Sequence, residues 1–214
     1  MNAVGRVAVL DLRTIMPYKM QALLLFGVGV LIFANKPAVF VPALVLLFTA
    51  QYAGMPFNVA DKAGLETLYA VLPVPRRAVV AGHYAWAVGL YLATAAAGTV
   101  LAAGFARVQG VALSAGTLAA AVVLSWAVFA VNVAIQFPLL IRFGYTRASV
   151  LGTALPMVAV VGIVYKTHVT IGSIGDWLPF IAAAGIALLA ASAAVAQAAD
   201  LRRVHPRRAG ASGA

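Results

Sequence analysis

The chain has 214 residues, of which 64% are hydrophobic and 9% are charged. Because soluble domains of this size carry roughly 25% charged residues, the composition excludes a soluble fold and indicates that lipid surrounds much of the protein. The net charge of +10 does not indicate nucleic-acid binding, because the basic residues lie in short segments between apolar runs, as in the cytoplasmic loops of membrane proteins.

The chain begins with a segment, residues 1–16, in which the apolar residues follow the spacing of an amphipathic helix. One face of this helix is formed by Ala8, Leu12, Ile15 and Met16. Arg6 and Arg13 lie on another face, seven residues apart. The pattern predicts a helix that lies in the membrane interface ahead of the first span. A basic, partly ordered leader is the alternative.

Six apolar segments follow, and each is long enough to cross the hydrocarbon of a bilayer, which takes roughly 17–25 helical residues. They cover residues 17–34, 38–55, 80–105, 113–138, 149–165 and 178–199. The turn-forming sequence Asn35-Lys36-Pro37 separates the first two segments. The sequence therefore predicts an all-α integral membrane protein with a six-span domain over 17–199 and a basic cytoplasmic tail over 200–214.

The distribution of lysine and arginine predicts the orientation of the spans. With the N-terminus inside, the inner segments hold Arg6, Arg13, Lys19, Lys62, Arg76, Arg77, Arg142, Arg147, Arg202, Arg203, Arg207 and Arg208. The outer loops hold Lys36, Arg107 and Lys166. Because cytoplasmic loops are enriched in basic residues, this bias predicts that both termini lie in the cytoplasm, where the tail contacts anionic lipid headgroups.

The sequence carries no constellation typical of an enzyme or of an ion-coupled carrier. Its five acidic residues are Asp11, Asp61, Glu66, Asp176 and Asp200, and all of them lie in loops or near span ends. The chain lacks cysteine and a glycine-rich phosphate loop, and its three histidines fall in separate segments. We therefore expect no catalytic residue, metal or bound cofactor. If ATP drives the protein, another subunit must bind it.

Polar and small residues within the spans have two possible uses. Asn132 and Gln136 are four residues apart and share a helix face, which either lines a substrate path or forms an interhelical hydrogen bond. Pro138 is expected to loosen the end of the same span. Small residues at 93–98 and 182–185 allow close helix packing, within one subunit or at a dimer seam.

The inner loop after the second span contains a predicted short helix over residues 61–72. One apolar face of this helix is formed by Leu65, Leu68, Tyr69 and Leu72. We expect Asp61 to cap its start and Pro73 to end it. Such a face in a cytoplasmic loop favours docking into a groove of a soluble partner, and a helix lying on the membrane is the alternative.

Motifs in two inner segments allow a comparison with a known family. The first segment reads Asp61-Lys62, then Leu72-Pro73-Val74-Pro75-Arg76-Arg77 and Val79-Val80, and the second reads Pro138-Leu-Leu-Ile-Arg-Phe-Gly-Tyr-Thr-Arg147. Together with the six-span layout, these motifs resemble ABC-2 type permeases, most closely the small six-span group that includes the phenol-soluble modulin exporter permeases. Pro75 departs from the pattern, because a small polar residue is commoner there.

The resemblance implies the permease subunit of an ATP-driven exporter in a bacterial cell membrane, with no enzymatic activity of its own. It implies two copies of a separate ATPase, which bind ATP and Mg, and a second permease that is identical or related. The expected contacts with the ATPase are Asp61, Lys62, Leu65, Glu66, Leu68, Tyr69, Leu72, Arg76 and Arg77, and the 61–72 helix is the expected coupling helix. Amphipathic or hydrophobic substrates, peptides among them, are the expected cargo.

A membrane-embedded accessory or scaffold protein without transport activity is the alternative function. The lack of ionisable groups at depth disfavours both an intramembrane enzyme and an ion-coupled carrier. Co-purification with an ATPase distinguishes the exporter from the accessory protein.

Overall fold

The computed structural model describes residues 2–33, 48–50, 52–64, 75–146, 148 and 175–204, and the regular secondary structure within these ranges is helical throughout. Its helices are α1 (Ala3–Ile15), α2 (Lys19–Phe33), α3 (Met55–Ala63), α4 (Arg76–Val108), α5 (Ala115–Phe143) and α6 (Leu178–Val204). Single 3₁₀ turns precede α2, at Met16–Tyr18, and α6, at Gly175–Trp177.

Three of the described helices are long and apolar enough to cross a membrane: Arg76–Val108, Ala115–Phe143 and Gly175–Ala198. These three helices contain most or all of the predicted spans over 80–105, 113–138 and 178–199. At 1.5 Å per residue, the 33 residues of α4 extend about 50 Å, compared with about 30 Å of hydrocarbon. Several turns of α4 therefore reach beyond the hydrocarbon.

Other predicted elements lie partly or wholly outside the described residues. Helix α2 covers Lys19–Phe33 of the predicted span 17–34. Most of the span over 38–55, the span over 149–165 and the end of the tail fall outside. The count of six spans therefore remains a prediction.

Helix α1 packs against the start of α4 through a face that shares only Ile15 with the predicted apolar face. Its start is capped by Asn2, whose side chain accepts a hydrogen bond from the Gly5 amide at 3.0 Å. The residues that α1 buries are Val7, Asp11 and Ile15. Leu12 and Met16 of the predicted apolar face are 46% and 58% exposed. The helix thus has a protein-facing side and a second apolar side that is free to enter lipid.

Helix α5 continues through Pro138 to Phe143, so the expected loosening of its end at Pro138 is wrong. Proline has no amide hydrogen to donate to the carbonyl of Ala134, one turn earlier. The hydroxyl of Ser192 in α6 donates to that carbonyl at 2.9 Å. Since Ser192 uses its proton there, the Tyr84 hydroxyl of α4 donates to Ser192 Oγ at 2.6 Å. The Ser192 hydroxyl of α6, itself bonded to Tyr84 of α4, therefore replaces the bond that Pro138 removes.

The interior is held by close packing of α5 against α6 and by aromatic residues of α4 and α5. Gly185 lies directly against the indole of Trp126, and the indole N–H donates to the Ala182 carbonyl at 3.2 Å. Large side chains with almost no exposure are Phe129, Val133, Phe137 and Leu140. The small residues at 182–185 therefore serve packing within one subunit, one of the two uses that the sequence allowed.

Candidate functional site

The short helix α3 ends where the sequence predicted a helix to begin. Gly64 follows it with φ 64°, a left-handed conformation that terminates helices and that glycine adopts most readily. Asp61 lies in the last turn of α3, so the prediction that Asp61 caps a helix beginning there is wrong. Residues 65–74 lie outside the described residues, and the coupling helix over 61–72 remains a prediction beyond Gly64.

Asp61 does cap a helical turn, but that turn belongs to the second inner segment. One oxygen of its carboxylate, Oδ2, accepts from the Thr146 amide at 2.9 Å and from the Thr146 hydroxyl at 2.6 Å. A helical hydrogen bond from the Ala148 amide to the Gly144 carbonyl, at 3.2 Å, shows that a turn starts here. A carboxylate at the start of a helical turn is stabilised by the free amides and the helix dipole.

Gly144 allows this approach of the two segments. It ends α5 with φ 77° and ψ 164°, a conformation strained for residues other than glycine. A Cβ at this position would lie 3.4 Å from Oδ1 of Asp61, so a larger residue would also crowd the carboxylate. The two motif segments, distant in the sequence, are therefore joined by Asp61, Gly144 and Thr146.

A second polar contact lies where α1 meets α4. The Nδ1 atom of His83 donates to Oδ2 of Asp11 at 2.7 Å, and the two residues are 6% and 2% exposed. The ring of Phe57 in α3 packs on the imidazole, with 4.6 Å between ring centroids. Gly82 lets α1 approach, because a Cβ there would lie 2.5 Å from the Cβ of Val7.

We define the inner-end junction, named for the predicted cytoplasmic side, as Asp11, Phe57, Asp61, His83 and Thr146. Helix α3 holds it together, because Phe57 at its start contacts His83 and Asp61 in its last turn binds Thr146. Asp11 and His83 are 72 positions apart, and no pattern in the sequence pairs them. The available signal was the position of Asp11 four residues from both Val7 and Ile15, because an acidic residue is unusual on an apolar helix face.

Four of the residues predicted to contact an ATPase are described, and all four are exposed near the junction. They are Asp61 and Lys62 at the end of α3, and Arg76 and Arg77 at the start of α4. Arg142 adds an exposed basic side chain at the end of α5. The surface around the junction is therefore predominantly basic. The predicted contacts Leu65, Glu66, Leu68, Tyr69 and Leu72 lie outside the described residues.

Asn132 and Gln136 are buried within the helix packing. They are 8% and 3% exposed, and Asn132 Nδ2 donates to Gln136 Oε1 at 3.4 Å. The side-chain nitrogen of Gln136 lies 3.2 Å from the position that a Cβ of Gly54 would occupy. The bond between these two side chains lies within α5, so an interhelical hydrogen bond and a role in a substrate path both remain hypotheses.

Comparison with known proteins gives one match. A family model described as ABC-2 family transporter protein matches residues 9–198, a range that contains the whole inner-end junction. No curated protein matches the chain significantly, and neither does any solved structure.

Proposed function

Because the chain belongs to the ABC-2 transporter family, as the match over residues 9–198 shows, we propose that it is the membrane-spanning permease of an ATP-driven exporter. Family membership makes it a membrane component that works with an ABC ATPase. In the proposed complex, two copies of the ATPase bind ATP and Mg, and hydrolysis there drives export through this chain and a second permease, identical or related.

The observation that carries this proposal is the contact between the two inner segments. Asp61 lies in the last turn of α3, and Thr146 lies shortly after the end of α5, a helix long and apolar enough to cross the membrane. Their two hydrogen bonds, at 2.9 and 2.6 Å, connect the first inner loop to the end of that span. A displacement imposed on the first loop by a partner therefore reaches α5 directly.

The start of α4 offers a second route for the same displacement. Pro75 precedes α4 in an extended conformation with φ −63° and ψ 129°, and its ring fixes the φ angle. A proline at this point gives a stiff connection between the proposed coupling helix over 61–72 and the span that follows. The departure of Pro75 from the family pattern is therefore compatible with the transmission of force.

The charges around the junction suit an anionic environment. Lys62, Arg76, Arg77 and Arg142 are exposed there, and basic side chains at this level bind anionic headgroups or acidic groups of a partner. We propose that this end faces the cytoplasm of a bacterial cell and contacts the ATPase, with both termini on the same side.

Amphipathic or hydrophobic molecules, peptides among them, are the proposed substrates. The family resemblance suggests this class, and release through the subunit interface or a lateral opening into lipid suits apolar cargo. Asn132 and Gln136 are the candidate polar contacts along the path, although their burial in one subunit favours helix packing.

The experiment that tests the proposal replaces Leu65 and Leu68 with Asp. Charges on the apolar face of the coupling helix should abolish its docking, because burying an unpaired carboxylate is costly. We expect the double variant to insert in the membrane and to lose co-purification of the ATPase. Val108→Asp, at an 87% exposed position at the opposite end of α4, is the matched control and should retain the ATPase.

Two results would contradict the proposal. If the native chain, purified in nanodiscs, carries no ATPase detectable by mass spectrometry, the accessory-protein alternative gains support. If the double variant retains the ATPase as well as the control does, the coupling helix is not the contact.

A further inference from the structure

Asp11 and His83 are ionisable residues buried at a contact that the proposed function does not itself require. A hydrogen-bonded pair of this kind opposes separation of α1 from α4 in two ways. Separation would expose the apolar residues Val7 and Ile15, and it would break the hydrogen bond between Asp11 and His83. The bond also fixes one register of α1 on α4, because it forms only where these two side chains meet.

The neighbouring backbone is built for the same close contact. At Gly82, a Cβ would lie 2.5 Å from side-chain atoms of Val7 and 3.3 Å from the carbonyl oxygen of Val4. Only glycine allows α1 to lie this close to α4 without a shift. Gly82 and His83 are consecutive, so the closest backbone approach and the polar pair coincide.

His83 also connects α1 to the inner loops. Its ring packs on Phe57 at the start of α3, and α3 ends at the Asp61 carboxylate that binds Thr146. The contacts from α1 to the second inner segment are therefore continuous. The Phe57 ring additionally packs on Phe137 of α5 at 5.0 Å between centroids.

We propose that Asp11 and His83 are positioning residues that make the N-terminal helix part of the moving unit of the transporter. Their bond fixes α1 to the start of α4, so that α1, with its exposed Leu12 and Met16 in the membrane surface, follows α4 when the ATPase closes. This proposal rests on the proposed function for the driving force, whereas the attachment of α1 to α4 exists without it.

The test is a distance measurement between α1 and α4 by pulsed electron paramagnetic resonance. Spin labels are placed at Leu12→Cys and Val100→Cys, exposed positions in a chain that has no cysteine of its own. The complex with its ATPase is measured in nanodiscs without nucleotide and with ATP, Mg and vanadate. We expect one narrow distance that agrees within about 2 Å between the two states, because a rigid unit keeps its internal separations.

Variants of the pair show whether the bond is responsible. Asp11→Asn and His83→Gln should each broaden the distance distribution and lower permease-stimulated ATP hydrolysis about fivefold. The exchanged pair Asp11→His with His83→Asp should recover both readouts, because it restores an acid and an imidazole in contact. Thr14→Val is the control, since it removes a hydrogen bond within α1, from Thr14 to the Leu10 carbonyl, that does not reach α4.

Two outcomes would overturn the proposal. One is a change in the native distance by about a helical turn, roughly 5 Å, on trapping with vanadate, since α1 would then move separately from α4. The other is a narrow distribution and unchanged hydrolysis in both single variants. The distance between α1 and α4 is also measured in the permease alone. If the permease does not bind an ATPase, the proposed function is rejected. The distance measured in the permease alone still shows whether α1 is attached to α4.

Discussion

Two polar regions of the molecule use hydrogen bonds for different purposes. In the middle of the spans, hydroxyl groups donate to backbone carbonyls: Ser192 to Ala134, and Tyr91 to Val122. At the inner-end junction, carboxylates instead accept from groups on other segments of the chain. The first pattern satisfies helix backbone in lipid, where an unpaired carbonyl is costly. The second uses charged acceptors to join helix ends and the segments next to them, as the proposed transmission of movement requires.

The strongest disturbance of the junction should come from Gly82→Ala. The new Cβ would overlap Val7 at 2.5 Å, and α1 would have to move away from α4. We expect a loss of about 1–3 kcal/mol in the free energy of unfolding, the usual cost of overpacking. Gly89→Ala on the same helix is the control, because nothing lies within 4 Å of its Cβ position. Equal melting temperatures for the two variants would argue against a close α1–α4 contact.

The mid-span region is tested by Ser192→Ala. Without the Ser192 hydroxyl, the Ala134 carbonyl has lost both the proline amide and its replacement, and we expect destabilisation of about 0.6–1.7 kcal/mol. In a Pro138→Ala background, the amide of residue 138 can bond to Ala134 and the cost of Ser192→Ala should fall markedly. A double-mutant cycle measured by thermal unfolding in micelles checks this. Additive effects would show that Ser192 does not compensate for Pro138.

Variants at Asn132 and Gln136 distinguish a role in helix packing from a role in transport. If they serve packing, alanine at both positions should lower the thermal stability by about 1 kcal/mol, the range of hydrogen bonds between membrane helices. ATP hydrolysis per folded complex should then change little. A larger effect on hydrolysis than on stability would instead place them in the substrate path.

The smallest effect on stability is expected for Asp61→Asn. Asp61 is exposed, so removing its charge should cost less than about 1 kcal/mol. The contact with Thr146 should nevertheless loosen, because an amide oxygen accepts more weakly than a carboxylate. Hydrogen exchange at the Thr146 and Ala148 amides should accelerate, with the amides of α6 as an internal reference. Unchanged exchange at Thr146 would indicate that Asp61 does not hold the second inner segment.

The sequence predicts the parts of the fold that depend on hydropathy, which are the long apolar helices. The spans over 80–105, 113–138 and 178–199 were predicted because a run of apolar residues that long has few alternatives to a membrane helix. Periodicity was less informative for α1, which has one apolar side against protein and another toward lipid. Spacing alone favoured Leu12 and Met16, and the protein-facing side with Asp11 became apparent only in the packed structure.

The sequence predicts the capping role of Asp61 but not the residues that Asp61 contacts. Asp61 was expected to cap a helical turn, and it does, but the turn follows Gly144 rather than Asp61 itself. Likewise, the chain continues helically through Pro138 because Ser192 of another helix supplies the missing donor. Such long-range partners depend on how the helices pack, which no local sequence pattern specifies.

The central claim is that the loop containing the predicted coupling helix, residues 61–72, faces the cytoplasm, where an ATPase can bind it. Because the chain has no cysteine, Glu66→Cys provides a single site for a membrane-impermeant maleimide. The claim predicts no labelling of intact cells and full labelling of inverted membrane vesicles. Labelling of intact cells would put the loop outside and contradict the account.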